Sequence, residues 1–234
     1  MTREDSGTLR YVAANSNTFS DRVTERGCLS GYGILRLERS TPKRITIVTM
    51  KTALVVAEYR ARYDVLVDGT LRTASVRGHF HTQKTNQFPK VGDQVAIQQV
   101  SDEDVVITEV LPRRNEVTRW SEYDGRAQVM VTNVDYLFIV MGLDNDFNIA
   151  RLQRYLALAR ESEVAPVVVL NKVDVTDDRR ARECEVTAVS GDAPVHTISA
   201  LSGDGVGSLR RYLAKGQLVA VLGSSGAGKS TLIN

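Results

Sequence analysis

Gly223, Gly226, Gly228, Lys229 and Ser230 fit the pattern Gly223-x-x-x-x-Gly228-Lys229-Ser230, directly after the apolar run Leu218-Val219-Ala220-Val221-Leu222. Residue types at this spacing can cradle a polyphosphate. Glycines let the backbone turn tightly and bring its N–H groups onto phosphate oxygens. Ser224, Ser225 and Ala227 fill the loop between them, and Thr231 follows it. Lys229 would place a point charge at the β/γ-phosphates, and the Ser230 hydroxyl could ligate Mg²⁺. Lys229 and Ser230 are therefore the candidate catalytic pair, and Ser230 is the candidate metal ligand.

A second set lies earlier in the chain. Asn171-Lys172-Val173-Asp174 follows the apolar run 167–170. A carboxylate at Asp174 can accept both donors that guanine offers at N1 and N2. Adenine lacks that pair and would leave the carboxylate unpaired, which is how a polar site rejects an analogue. The Lys172 stem could lie along the base, and the Asn171 amide could tie this loop to the phosphate loop. Taken alone, Asn and Asp after a strand are also ordinary turn formers and helix caps. Ser199-Ala200 follows the next apolar run and could offer a backbone N–H to guanine O6.

Alternating strands and helices are needed to bring these pieces together. The run 136–141 is continuously apolar, as are 167–170 and 218–222, and 195–198 reads as a further strand. Ile149, Leu152, Tyr155, Leu156 and Ala159 recur at helical spacing, with Asp144, Asp146 or Asn148 available as caps. A charged, exposed helix is expected from Asp177 to about Val189, and a short one over 207–213. This order predicts a parallel α/β sheet over 134–234, with ligand at the carboxyl ends of its strands.

The region before it reads differently. Short β-branched runs at 53–58, 61–67, 71–76, 94–99 and 105–111, with the hairpin signal Asp68-Gly69, predict a five-stranded barrel of OB type over 50–114. Arg60, Arg62, Arg72, Arg77, Lys84 and Lys90 could touch a phosphate backbone there, or simply form a solvated face. His79 and His81 have no Cys or carboxylate partners that would complete a metal site. Residues 115–133 read as a polar connector in which Trp120 packs at the domain junction. Residues 1–49 show no sustained period and read as a disordered extension, with Met50 as an alternative translation start.

Composition sets wide bounds. With 234 residues, 42% hydrophobic, 25% charged and a net charge of +2, the chain is ordinary globular protein and too near neutrality to argue for nucleic acid by charge. No apolar run approaches the roughly 20 residues of a membrane span. Cys28 and Cys184 show no disulfide framework, which fits a reducing cytosol.

The order barrel, Asn-Lys-Val-Asp, Ser-Ala, phosphate loop resembles the circularly permuted GTPases of the ribosome small subunit-dependent GTPase A family. Leu111-Pro112-Arg113-Arg114, Asn133-Val134-Asp135, Asp146-Phe147-Asn148, Arg154-Tyr155-Leu156-Ala157-Leu158 and Leu222-Gly223-Ser224-Ser225-Gly226 match locally. The resemblance implies a cytoplasmic, monomeric GTP hydrolase that uses Mg²⁺ in late maturation of the small ribosomal subunit. It further implies stimulation by the subunit, ribosomal-RNA contact through the barrel, and Zn²⁺ in a C-terminal domain. The site residues would be Asn171, Lys172, Asp174, Ser199 and Ala200 for guanine, and Gly223, Ser224, Ser225, Gly226, Ala227, Gly228, Lys229, Ser230 and Thr231 for phosphates and Mg²⁺.

The family's switch segments and zinc domain would follow Asn234, so the chain reads as a fragment with an incomplete sheet and an unpaired edge. Asp204-Gly205-Val206-Gly207 fits a switch only by its letters. Two other readings stay open: an RNA-binding barrel with an inert nucleotide half, and an ATP-dependent P-loop enzyme, which Asp174 disfavours.

Overall fold

The computed structural model describes residues 10–13, 51–60, 62–78, 80, 88–101, 103–121 and 125–234. His79, His81, Lys84, Cys28 and Met50 lie outside them. The described residues fall into two compact units, one within 16–112 and the other within 1–15 and 113–234.

The first unit is a closed barrel. Its strands are β2 (Lys51–Glu58), β3 (Tyr63–Val67), β4 (Thr70–Val76), β5 (Gln94–Gln99) and β6 (Asp104–Val110), in the order β2-β3-β4-β6-β5. All neighbours pair antiparallel except β4 and β6, which are parallel. This is the OB arrangement. Alternate residues point inward, and Val55, Tyr63, Val65, Ala74, Val95, Val105 and Ile107 fill the interior. Asp68 (φ 48°) and Gly69 (φ 81°) make the β3–β4 turn, which closes between the paired Val67 and Thr70. Two consecutive positive φ angles match the twist of the flanking strands.

The second unit holds a five-stranded sheet in the order β1-β12-β9-β10-β11. Its strands are β1 (Arg10–Ala13), β9 (Tyr136–Gly142), β10 (Ala165–Asn171), β11 (Val195–Thr197) and β12 (Leu218–Leu222). β12, β9, β10 and β11 run parallel. Leu137, Ile139, Val168, Val169, Leu170 and Ala220 are buried, as continuous apolar runs in a parallel sheet require. Truncating any of these leucines to alanine would cost about 2–5 kcal/mol.

Helix α1 (Ile149–Glu161) buries Leu152, Leu156 and Ala159, while Ile149 and Tyr155 flank that stripe half-buried. Of the three candidate caps, Asn148 takes the position: its Oδ1 accepts from the Arg151 N–H at 2.9 Å. α2 (Arg179–Ser190) is mostly exposed and buries Val186 and Ser190. The short segment Val206–Tyr212 is 3₁₀, tighter than the helix expected there, and buries Leu209 and Tyr212. α3 (Lys229–Ile233) follows the phosphate loop.

Three features depart from the sequence reading. Arg10–Ala13, within the segment expected to be disordered, pairs antiparallel with β12, from Arg10 opposite Val221 to Ala13 opposite Leu218. β1 therefore covers the β12 side of the parallel strands. The expected connector contains a hairpin of β7 (Glu116–Ser121) and β8 (Arg126–Thr132). Its inward pair, Val117 and Val131, is buried, and the Asn115 side chain clamps its base with two 2.8 Å bonds to the Val134 backbone. Trp120, expected to pack, is 64% exposed on β7, because its position in the ribbon faces away from that small core.

Candidate functional site

β12, β9 and β10 are adjacent and parallel, so the loops that leave their carboxyl ends share one edge of the sheet. Residues 223–228 leave β12, residues 143–148 leave β9, and Lys172–Asp174 leave β10. Ser199 and Ala200 come just after β11.

Asn171, buried at the end of β10, joins three of these segments. Its Nδ2 donates to the Ala227 carbonyl at 2.9 Å, and its Oδ1 accepts from the Ala200 N–H at 2.9 Å. The planar amide supplies the donor and the acceptor from one side chain. The contact is tight enough to dictate its neighbour: a Cβ on Gly228 would collide with Asn171 Nδ2, and Gly228 sits at φ 93°.

The phosphate loop is compact. A Cβ on Gly223 would collide with the Val140 carbonyl, so the loop leaves β12 pressed against β9. Ala227 is buried and anchors the loop's far side. The Lys229 ammonium donates to the carbonyls of Gly223 at 2.8 Å and Ser224 at 2.5 Å, which tethers it within the loop. Ser225, Gly226, Ser230 and Thr231 are exposed.

Lys172 adopts the left-handed conformation (φ 67°), and its ammonium lies 2.6 Å from Asp144 Oδ2. Burial tends to raise the Asp144 pKa. Hydrogen bonds from Lys172 and the Asp146 amide, with the Lys172 charge, outweigh it and hold the carboxyl below its usual range. Asp174 stands exposed in the 3₁₀ turn Val173–Val175. Ser199 is buried, and its Oγ accepts from the Ser202 N–H at 3.2 Å. The Ala200 N–H donates to Asn171 Oδ1, which helps to order the Ser199-Ala200 turn.

By sequence Asp144 and Asp146 read as helix caps, with Asp146 also in the matching stretch Asp146-Phe147-Asn148. Asp146 instead accepts from Ser224 Oγ (2.5 and 2.6 Å), from Arg151 Nη1 (2.8 Å) and from the Gly142 N–H (3.3 Å). The signal that could have found them is their place at the carboxyl end of the strand between the two loops. Asp204 lies in a turn where its carbonyl accepts from the Ser199 N–H. Among the described residues, no group of three or more His, Cys, Asp or Glu is placed to hold a metal. None of the helices among them is long and apolar enough to cross a membrane.

The glycine-rich loop 223–228 follows Asn171–Asp174 and Ser199-Ala200 in the chain but adjoins them in space, which is the order of a circularly permuted GTPase fold, preceded by an OB barrel. Residues 110–234, more than half of the chain, match the RsgA GTPase family, and the chain belongs to that family. It is 51% identical over 158 residues to the small ribosomal subunit biogenesis GTPase RsgA of Opitutus terrae, covering 63% of this chain and 43% of that protein. It is 37% identical to RsgA 2 of Lactiplantibacillus plantarum, covering 77% of this chain and 52% of that one. Among solved structures, YjeQ from Thermotoga maritima superposes with a TM-score of 0.64 at 29% identity, covering 79% of this chain and 64% of YjeQ. YloQ, a circularly permuted GTPase, shares the fold with a TM-score of 0.57 at 24% identity, covering 78% and 62%. The chain spans about half the length of the curated relatives it matches.

Proposed function

We propose that this chain binds GTP and GDP across the Asn171-centred junction, as part of a GTP hydrolase serving maturation of the small ribosomal subunit. One observation carries the proposal: a single buried amide ties the guanine loop, the Ser199-Ala200 turn and the phosphate loop together. The names of the relatives, small ribosomal subunit biogenesis GTPases, support the same reading.

Asp174 would accept N1–H and N2–H of guanine, with Lys172 along the base and Asn171, Ser199 and Ala200 holding the pocket wall. The backbone of residues 223–228 would cradle the phosphates with Lys229, while Ser230 and Thr231 begin the helix behind them. The exposed Ser230 hydroxyl is a hard oxygen donor that fits Mg²⁺. Bound Mg²⁺ would neutralise charge on the β- and γ-phosphates. No residue of this chain is assigned as general base, and the zinc implied by the resemblance is assigned to none of its residues. A cytoplasmic, monomeric protein with ribosomal RNA against its barrel completes the proposal.

A second reading, RNA binding by the barrel independent of nucleotide, draws on one feature. Tyr59 is 48% exposed, and the Arg62 guanidinium lies 4.9 Å from its ring centre, a pair on which an unpaired base can stack. Lys90 is less available, since it pairs with Glu58 at 2.7 Å.

Titration with fluorescently labelled GDP in Mg²⁺, competed by unlabelled GDP or ADP, separates these readings. Displacement by GDP alone supports the proposal. Displacement by ADP revives an ATP enzyme. Absence of binding, together with salt-dependent RNA affinity, favours the barrel module.

A further inference from the structure

Residues 143–148, between β9 and α1, belong to neither loop assigned to nucleotide, yet both loops are fastened to them. Asp144 takes Lys172 of the guanine loop at 2.6 Å. Asp146, two residues on, takes Ser224 of the phosphate loop through both carboxylate oxygens. The segment is itself braced. Arg151 donates to the Asp146 carboxylate (2.8 Å) and carbonyl (3.3 Å). Arg182 of α2 donates to the carbonyls of Leu143 (2.6 Å) and Asp144 (3.3 Å), and its guanidinium lies 5.1 Å from the Phe147 ring centre. A Cβ on Gly142 would collide with Asp144 Oδ1, so the carboxylate folds back over the strand end only because Gly142 has none.

Two carboxylates beside a polyphosphate cradle oppose an anionic ligand by Coulomb repulsion. Here each is matched by a cation, Asp144 by Lys172 and Asp146 by Arg151. Side chains of Asp146 and Arg151 are only 14% and 11% exposed, so solvent screens this pair weakly. What the aspartates add is geometry: each binds a group on a different loop, and a two-residue spacing fixes the distance between them.

We propose that Asp144 and Asp146 are positioning residues that hold the guanine loop and the phosphate loop as one body through Lys172 and Ser224. The proposal rests on the reading that these two loops share one nucleotide. A ligand spanning both loops then gains from their fixed spacing, whereas a ligand touching only the base loop gains little from Asp146.

The test uses the full chain with Asp144→Ala, Asp146→Ala, Ser224→Ala and the Asp146→Ala/Ser224→Ala double variant. In nucleotide-free protein, amide hydrogen exchange is expected to rise in peptides carrying 223–228 for Asp146→Ala, and in those carrying 171–175 for Asp144→Ala. Barrel peptides should stay unchanged. GDP affinity should fall about tenfold with Asp146→Ala or Ser224→Ala, and guanosine affinity should not. The double variant should lose no more than Asp146→Ala alone, since Ser224→Ala removes a contact that Asp146→Ala has already broken. Unchanged exchange in both loops, equal losses for GDP and guanosine, or additive losses would overturn the proposal. A wild-type chain that binds no GDP would overturn the nucleotide reading instead. The exchange pattern in the free protein would then still decide whether the aspartates fasten the loops.

Discussion

Asn171 Nδ2 lies 2.9 Å from the carbonyl oxygen of Ala227, a residue 56 positions further along the chain. The same amide accepts from Ala200 on its other side. β10 brings Asn171 to this point and β12 brings Ala227, and neither strand contacts the other directly because β9 lies between them. The bond therefore closes the junction above the central strand.

Asn171→Ala removes both partners at a buried position. Each group left without a partner costs about 1–3 kcal/mol. Asn171→Asp keeps the shape and the acceptor toward Ala200 but turns an oxygen on the Ala227 carbonyl. We expect both variants to lower the melting temperature and abolish labelled-GDP binding, with Asn171→Asp at least as damaging despite its closer size. Circular dichroism melts and the titration read these directly. A wild-type GDP affinity in Asn171→Asp would remove the amide from the site.

Asp174 is exposed, so its replacement should act on binding rather than on folding. Asp174→Asn exchanges an acceptor pair for one donor and one acceptor. The guanine N2–H donors then face an amide N–H donor, whereas the carbonyl that xanthine carries at that position accepts from it. GDP affinity should fall by at least 100-fold, a loss of about 2.7 kcal/mol. Xanthosine diphosphate should gain relative to GDP, with the melting temperature unchanged. Equal losses for both nucleotides would place the base elsewhere.

Much of the fold, in the barrel and at this junction alike, was legible because the signals are local. Asp68-Gly69 announces a turn by residue type, and the runs ending at Asn171 and Leu222 announce buried strands by continuous apolarity. Asp144 and Asp146 were not legible as positioning groups. Their partners, Lys172 and Ser224, lie 28 and 78 residues away, and nothing local distinguishes a carboxylate that caps a helix from one that holds a loop. The β7–β8 hairpin was missed for another reason. It is anchored by few buried apolar residues, Val117 and Val131, so alternation hardly rises above its polar background. β1 was equally silent, since an edge strand is selected by the neighbour it pairs with as much as by its own residues.

Inside the barrel, burial, followed by the charges of Glu58 and Asp93, pushes the Tyr63 phenol up to about 12. The folded value exceeds the unfolded value near 10, so the native state holds its proton longer than the unfolded chain. The stabilisation is complete below pH 10 and is lost as pH rises through about 12. Ultraviolet titration at 295 nm should show a late tyrosine step near pH 12, together with barrel unfolding. Tyr63→Phe should remove that late step. A late step that persists in Tyr63→Phe would assign it to another tyrosine.

His196 sets an opposite dependence in the second unit. It lies on β11 with Nε2 at 2.9 Å from the Tyr212 hydroxyl, and Tyr212 packs edge-on against Tyr136 and Phe138 in the core. Burial first, then the nearby Arg211 charge, lowers its pKa below the usual 6.5. The unfolded chain then takes up a proton that the native state resists, so stability is full above pH 6.5 and falls as the pH drops through the lower native value. Melts between pH 7.5 and 5 should show a declining midpoint for this unit, and His196→Gln should flatten that decline. Proton NMR supplies the direct check, because the imidazole resonance of His196 should titrate below 6.5. A midpoint above 6.5 would mean that a carboxylate, and not Arg211, governs the ring.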